Sequence, residues 1–170
     1  MANTYTLIAS STVGSGGAAN IEFTSIGSAY TDLLLNVSCR TASGGADSVK
    51  ISFNSDTTSG NYQIKYLEGN GTNVSSGTSP SQYSVSASGS TDTANTFSNA
   101  QVYIPNYAGS NAKNWSSNTV TENNGTAAYS TLIAGNWNNT NAITTIRLTL
   151  TGAANFAQYS TAYLYGISNS

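Results

Sequence analysis

The chain has no histidine, one cysteine, one methionine and two prolines in 170 residues, and only 7% of those residues are charged. Each shortage removes a class of function. Without histidine there is no Ser-His-Asp or Cys-His nucleophile and no imidazole ligand for a metal. A lone cysteine rules out thiolate metal clusters and any internal disulfide framework. Five Lys and Arg side chains, scattered from Arg40 to Arg147, are too few to draw affinity from phosphate neutralisation, so nucleic acid is not an expected partner. No apolar run approaches the roughly 20 residues that cross a bilayer, and a membrane is not expected either. The start, Met1-Ala2-Asn3-Thr4-Tyr5, has no basic region followed by an apolar stretch, which leads us to expect a complete product made in the cytoplasm. Glycine is plentiful, yet no Gly-x-x-x-x-Gly-Lys-Ser/Thr loop and no strand-helix alternation offers a nucleotide cofactor a seat. We expect no cofactor.

What is present is a neutral, hydroxyl- and amide-rich chain with enough apolar residues for a core. Hydrophobic residues make up 38%, eleven of the side chains are tyrosine, and the net charge is -2. Disorder by composition needs low hydrophobicity with high net charge, and this chain has neither. A length of 170 residues suits one domain, 1–170, and nothing in the composition marks a linker or an internal repeat.

Alternation of apolar and polar residues runs through most of the sequence. Tyr5 to Ala9, Ile21 to Phe23, Leu33 to Arg40, Val49 to Asn54 and Tyr62 to Tyr66 read as strands in the first half. Tyr83 to Ala87, Gln101 to Ile104, Ala128 to Ala134, Thr144 to Thr151 and Thr161 to Ile167 follow in the second, with Pro105 ending the strand before it. The polar stretch Gly69 to Pro80 carries no periodic signal and reads as an exposed loop. No window holds an apolar stripe of period 3.6, and β-branched residues with Tyr favour strands. Nine or ten short strands separated by Gly, Asn and Ser turns predict an all-β fold, a two-sheet sandwich or a barrel, of which an antiparallel, jelly-roll-like β-sandwich is the one expected. Leu33, Leu35, Val37, Val49, Ile51, Phe53, Ile146, Leu148 and Leu150 should face inward. Cys39 continues the inward register of Leu33, Leu35 and Val37 and reads as a buried structural thiol.

Chemistry has few candidates. Two carboxylates about 5 to 10 Å apart would suffice for glycoside hydrolysis, so Glu22, Asp32, Asp47, Asp56, Glu68, Asp92 and Glu122 must be considered. Most sit beside Gly, Ser or Thr, where an acid ordinarily bonds its own turn, and Glu22, on a strand between Ile21 and Phe23, is the least easily dismissed. No catalytic residue is assigned. Asn54-Ser55-Asp56 with Asn61 gathers oxygen atoms in one loop, but a calcium site usually gathers two or more carboxylates, and no metal is assigned. Sequons at Asn36, Asn70, Asn73, Asn114, Asn124 and Asn138 are as many as chance gives in so Asn-rich a chain. Trp115, Trp137, Tyr103, Tyr107, Tyr129, Tyr159, Tyr163 and Tyr165 could form a sugar-stacking platform or a subunit interface, although most should fill the core. Tyr103 lies off the apolar face of its strand and Trp137 in an Asn-rich loop, which makes them the expected exceptions.

Several segments also resemble those of a known group. Tyr30-Thr31-Asp32-Leu33-Leu34-Leu35, Ile51-Ser52-Phe53-Asn54-Ser55-Asp56, Val102-Tyr103-Ile104-Pro105-Asn106-Tyr107-Ala108-Gly109 and Gln158-Tyr159-Ser160-Thr161-Ala162-Tyr163-Leu164-Tyr165-Gly166-Ile167 are similar to small structural proteins of tailed bacteriophages, of the kind found in phages of marine bacteria and cyanobacteria. The resemblance spans about Tyr5 to Ile167 and consists of strand patterns, so it carries over no functional residue. It implies a place in the virion, as a capsid decoration or cement protein, a head fibre, or a tail-associated receptor- or carbohydrate-binding module. The partners it implies are other copies of the chain, a trimer first of all, and virion proteins such as the major capsid protein, with a glycan as a further possibility. A surface nearly free of charge suits such a particle, being insensitive to salt.

Overall fold

In the computed structural model, which describes residues 4–122, 125 and 128–168, alternation becomes twelve strands and no α-helix. The first half supplies β1 (Tyr5–Thr12), β2 (Asn20–Phe23), β3 (Asp32–Ser38), β4 (Asp47–Phe53), β5 (Tyr62–Gly69) and β6 (Val74–Ser79). The second supplies β7 (Tyr83–Ala87), β8 (Asn99–Ile104), β9 (Lys113–Thr121), β10 (Tyr129–Trp137), β11 (Ile146–Leu150) and β12 (Thr161–Ile167). A single 3-10 turn, Ser59–Asn61, precedes β5. Asn124 and residues 1–3 of the sequence reading lie outside the described residues.

Two antiparallel sheets result, ordered β1-β12-β3-β8-β9-β10-β5-β6 and β2-β11-β4-β7. The pairing is nested: the first strand lies against the last, β2 against β11, β3 against β8 and β4 against β7. That order is a double-sheet jelly roll. The hairpin of β5 and β6, inserted between β4 and β7, and the hairpin of β9 and β10, inserted between β8 and β11, lengthen one sheet only. The larger sheet therefore carries a four-stranded extension.

All nine predicted core residues are buried. Phe53, Tyr62, Trp115 and Trp137 form the aromatic end of this core, with Phe53 edge-on to Trp115 at 5.6 Å and Tyr62 stacked on Trp137 at 6.3 Å. Trp115 lies over Gly135, its cross-strand neighbour, so closely that a Cβ there would come within 2.1 Å of the indole. Gly166 is likewise covered by the Tyr30 ring.

Two elements differ from the sequence reading. Residues 74–79 of the expected loop form β6, whose side chains are exposed or half-exposed on both faces, so no alternation marks it. β9 was not expected at all. Its burial alternates perfectly, but the inward residues Lys113, Ser117, Thr119 and Thr121 are polar, which hides the period from a hydrophobicity pattern.

Candidate functional site

Several polar side chains in this molecule are spent on holding the chain together. Asp56 is the clearest case. Its carboxylate accepts from the Thr58 backbone N–H (2.9 Å), Asn61 Nδ2 (2.8 Å) and Trp137 Nε1 (2.8 Å), and its carbonyl accepts from Tyr62 Oη and Gln82 Nε2. Partial burial pushes this carboxyl up, but the Trp137, Asn61 and Thr58 donors outweigh it and hold the group below its ordinary value. Asn54 is committed in the same way, accepting from the Thr144 and Thr145 amides and donating to the Ala142 carbonyl. The loop that offered oxygen atoms to a cation thus turns N–H donors toward them, and a cation would have to break those bonds to enter.

Trp137 is a correction to the sequence reading. It is fully buried, because β10 runs three residues further than expected and carries the inward set Thr131, Ile133, Gly135 and Trp137 into the Asn-rich stretch. Trp115 and Tyr107 are buried too, whereas Tyr103, Tyr159 and Tyr163 are exposed and Tyr129 and Tyr165 half-exposed, so most of the eight candidate rings do not fill the core.

The remaining carboxylates are dispersed. Asp47 accepts from the Ser48 and Gly152 amides and the Thr151 hydroxyl, Asp92 from the Gly89 amide, and Glu68 from Thr131 Oγ1. Glu22 stands on the outer face of the smaller sheet opposite Arg147 in the ladder. Arg40, a buried cation, donates to four carbonyls, those of Ser90, Asp92, Thr93 and Thr96, and so ties the 88–98 loop into one knot. Cys39 beside it is fully buried, and burial pushes its thiol up to about 12. Lys113 is buried against the Asn111 and Thr140 carbonyls, and burial holds its ammonium below the usual value. Among the described residues no group of three His, Cys, Asp or Glu side chains converges.

The outer face of the larger sheet is different. Registers place Thr78, Lys65, Ala134, Ser116 and Tyr103 in one transverse row across β6, β5, β10, β9 and β8. Ser76, Leu67, Leu132, Asn118 and Gln101 form the next row. Ala134 and Ser116 are short, so between the taller Lys65 and Tyr103 the surface sinks into a depression of about 630 Å³. That is within the roughly 300 to 1,000 Å³ of ligand pockets. A second depression of about 290 Å³ shares Lys65, Thr78 and Ala134 and runs toward Asn114 and Asn136.

Leu67 and Leu132 are a little more than half exposed on its floor. Lys65, Ser76, Thr78, Ser116 and Asn118 make no hydrogen bond to another described side chain or to backbone through their side-chain atoms, in contrast to the latched residues above. Two lining side chains are bonded: Gln101 Nε2 donates to Asn36 Oδ1 at 3.2 Å, and the Tyr103 hydroxyl donates to Asp32 Oδ2 at 2.7 Å while Asp32 Oδ1 accepts from the Asn106 amide at 2.8 Å. This bond to Asp32 and its negative charge raise the phenol above its ordinary value and fix the ring upright at the rim. Tyr103 was legible from its register; the trough was not, since it depends on which strands become neighbours.

Comparison with protein-family models, with curated proteins and with solved structures finds no match. The site therefore rests on its own geometry.

Proposed function

We propose that the chain is a non-catalytic building block that associates with copies of itself, as a decoration or cement protein of a virion surface does. The observation that supports this most is the pair of strands at the edges of the larger sheet. Neither β1 nor β6 contains a charged residue or a proline, the two devices that most often keep sheet edges from pairing. β1 is irregular between Leu7 and Ala9, but β6 pairs with β5 in unbroken register and leaves its other side open. A two-fold axis beside β6 would bring two uncharged edges together with no repulsion between them.

Sedimentation velocity on the full chain and on Ser75→Lys tests it. The parent chain should sediment as an oligomer and the variant, with a charge set into the open edge, as a smaller species. A monomeric parent would remove the building-block reading.

A second reading, a tail-associated receptor- or carbohydrate-binding module, is favoured by one specific feature, the trough beside Tyr103. It needs no self-association.

A further inference from the structure

We propose that the trough between Lys65 and Tyr103 is a binding site for a short acidic oligosaccharide, one whose units carry carboxylates. This rests on the carbohydrate-binding reading and names its ligand class. Three features of the trough select that class.

The first is shape. Lys65 and Tyr103 stand three strand spacings apart in one row, about 14 Å, with only Ala134 and Ser116 between them. An extended chain of flat rings fits such a shallow, elongated depression, whereas a compact cofactor would be left largely in solvent. The second is the balance of surfaces. Tyr103, Leu67 and Leu132 offer apolar area, of the kind that packs on the C–H face of a sugar, and Ser76, Thr78, Ser116 and Asn118 offer hydroxyls and an amide. Because those polar groups have no hydrogen-bond partner among the described residues, binding breaks no bond seen there to reach them. Tyr103 is already held by Asp32, so little ordering is required of the ring.

The third is charge. Among the described residues, Lys65 is the only charged one lining either depression, and no carboxylate lines them. Two of the other cations are consumed elsewhere, Arg40 by four carbonyls and Lys113 by two. An uncompensated ammonium at one end of an otherwise neutral trough complements a ligand carboxylate and disfavours a cationic ligand.

The test titrates the full chain with a short polyuronate oligosaccharide and with a neutral glucan oligosaccharide of the same length, followed by calorimetry. The polyuronate should bind, and more tightly than the glucan. Tyr103→Ala should weaken it about tenfold, the loss of one stacked ring. Lys65→Gln should weaken it about three- to fivefold, remove the preference for the acidic chain and abolish the salt dependence of binding. Thermal unfolding of both variants should match the parent, since neither side chain is in the core. Equal binding of the two oligosaccharides would overturn the acidic class alone. Binding of neither, or binding unmoved by both substitutions, would overturn the site and the carbohydrate reading with it. Sedimentation of the same samples reports on self-association independently. If Tyr103→Ala instead dissociates an oligomer that binds no saccharide, the trough belongs to the interface.

Discussion

The aromatic end of the core and the outer face of the larger sheet are built from the same kinds of residue and used in opposite ways. At the first, Tyr62, Trp137, Asn61 and Gln82 all donate to Asp56. On the second, Lys65, Thr78, Ser116 and Asn118 stand in the open beside an exposed Tyr103 and two exposed leucines. Polar side chains that are saturated fix a fold, and polar side chains left free are available to a partner. The chain has few charges to work with, so amides, hydroxyls and rings take both roles, and only their position tells which.

The sharpest way to break this contrast is to remove Trp137. Trp137→Ala should cost about 3 to 5 kcal/mol in urea denaturation, because it empties a buried site and takes a donor from Asp56. A loss below about 1 kcal/mol would mean the latch is ornamental.

Arg40→Met comes next, at about 2 to 4 kcal/mol by the same measurement, since four carbonyls lose a charged donor at once. Proteolysis should then cut first within residues 88–98. If cleavage begins elsewhere, Arg40 does not organise that loop.

Alkaline pH should weaken the buried surroundings of Cys39 and of Tyr62 alike. Burial raises Cys39 from 9.0 and Tyr62 from 10.0, each to about 12, so the folded chain holds both protons more tightly than the unfolded one. Their contribution is whole below about pH 9, falls as pH rises from there, and is gone above about pH 12. Near pH 10.5 the loss should reach about 3 kcal/mol, about two-thirds of it absent in Cys39→Ala. Stability that is flat from pH 8 to 10.5 would contradict the burial of both groups.

The outer face should respond least. Tyr103→Ala and Leu132→Ser should each change stability by less than about 1 kcal/mol, against the losses above, while altering binding or association. A large loss of stability from either would erase the distinction between the two regions.

How far the sequence disclosed all this depended on whether period and polarity agreed. In β3, β4 and β11 the apolar residues are the inward ones, so Leu33, Val49 and Leu148 were placed correctly. In β9 the inward residues include Ser117, Thr119 and Thr121, and the strand vanished from view although its geometry is regular. β6 has no buried face to reveal it. Trp137 was misplaced because its Asn neighbours suggested a turn, yet continuing the period of Thr131 and Ile133 by two steps reaches it. The Lys65–Tyr103 trough joins the consecutive strands β8, β9 and β10 to β5 and β6, a hairpin much earlier in the chain, and follows from the order of strands in the sheet. No local pattern could supply that order.

The account stands most directly on contacts made through an uncharged edge and face. Sedimentation velocity of the unmodified chain at low and at high ionic strength measures this, because screening weakens charge pairs and spares uncharged contacts. The account predicts the same oligomer under both conditions. A species that dissociates as salt rises, or a monomer at either ionic strength, would contradict it.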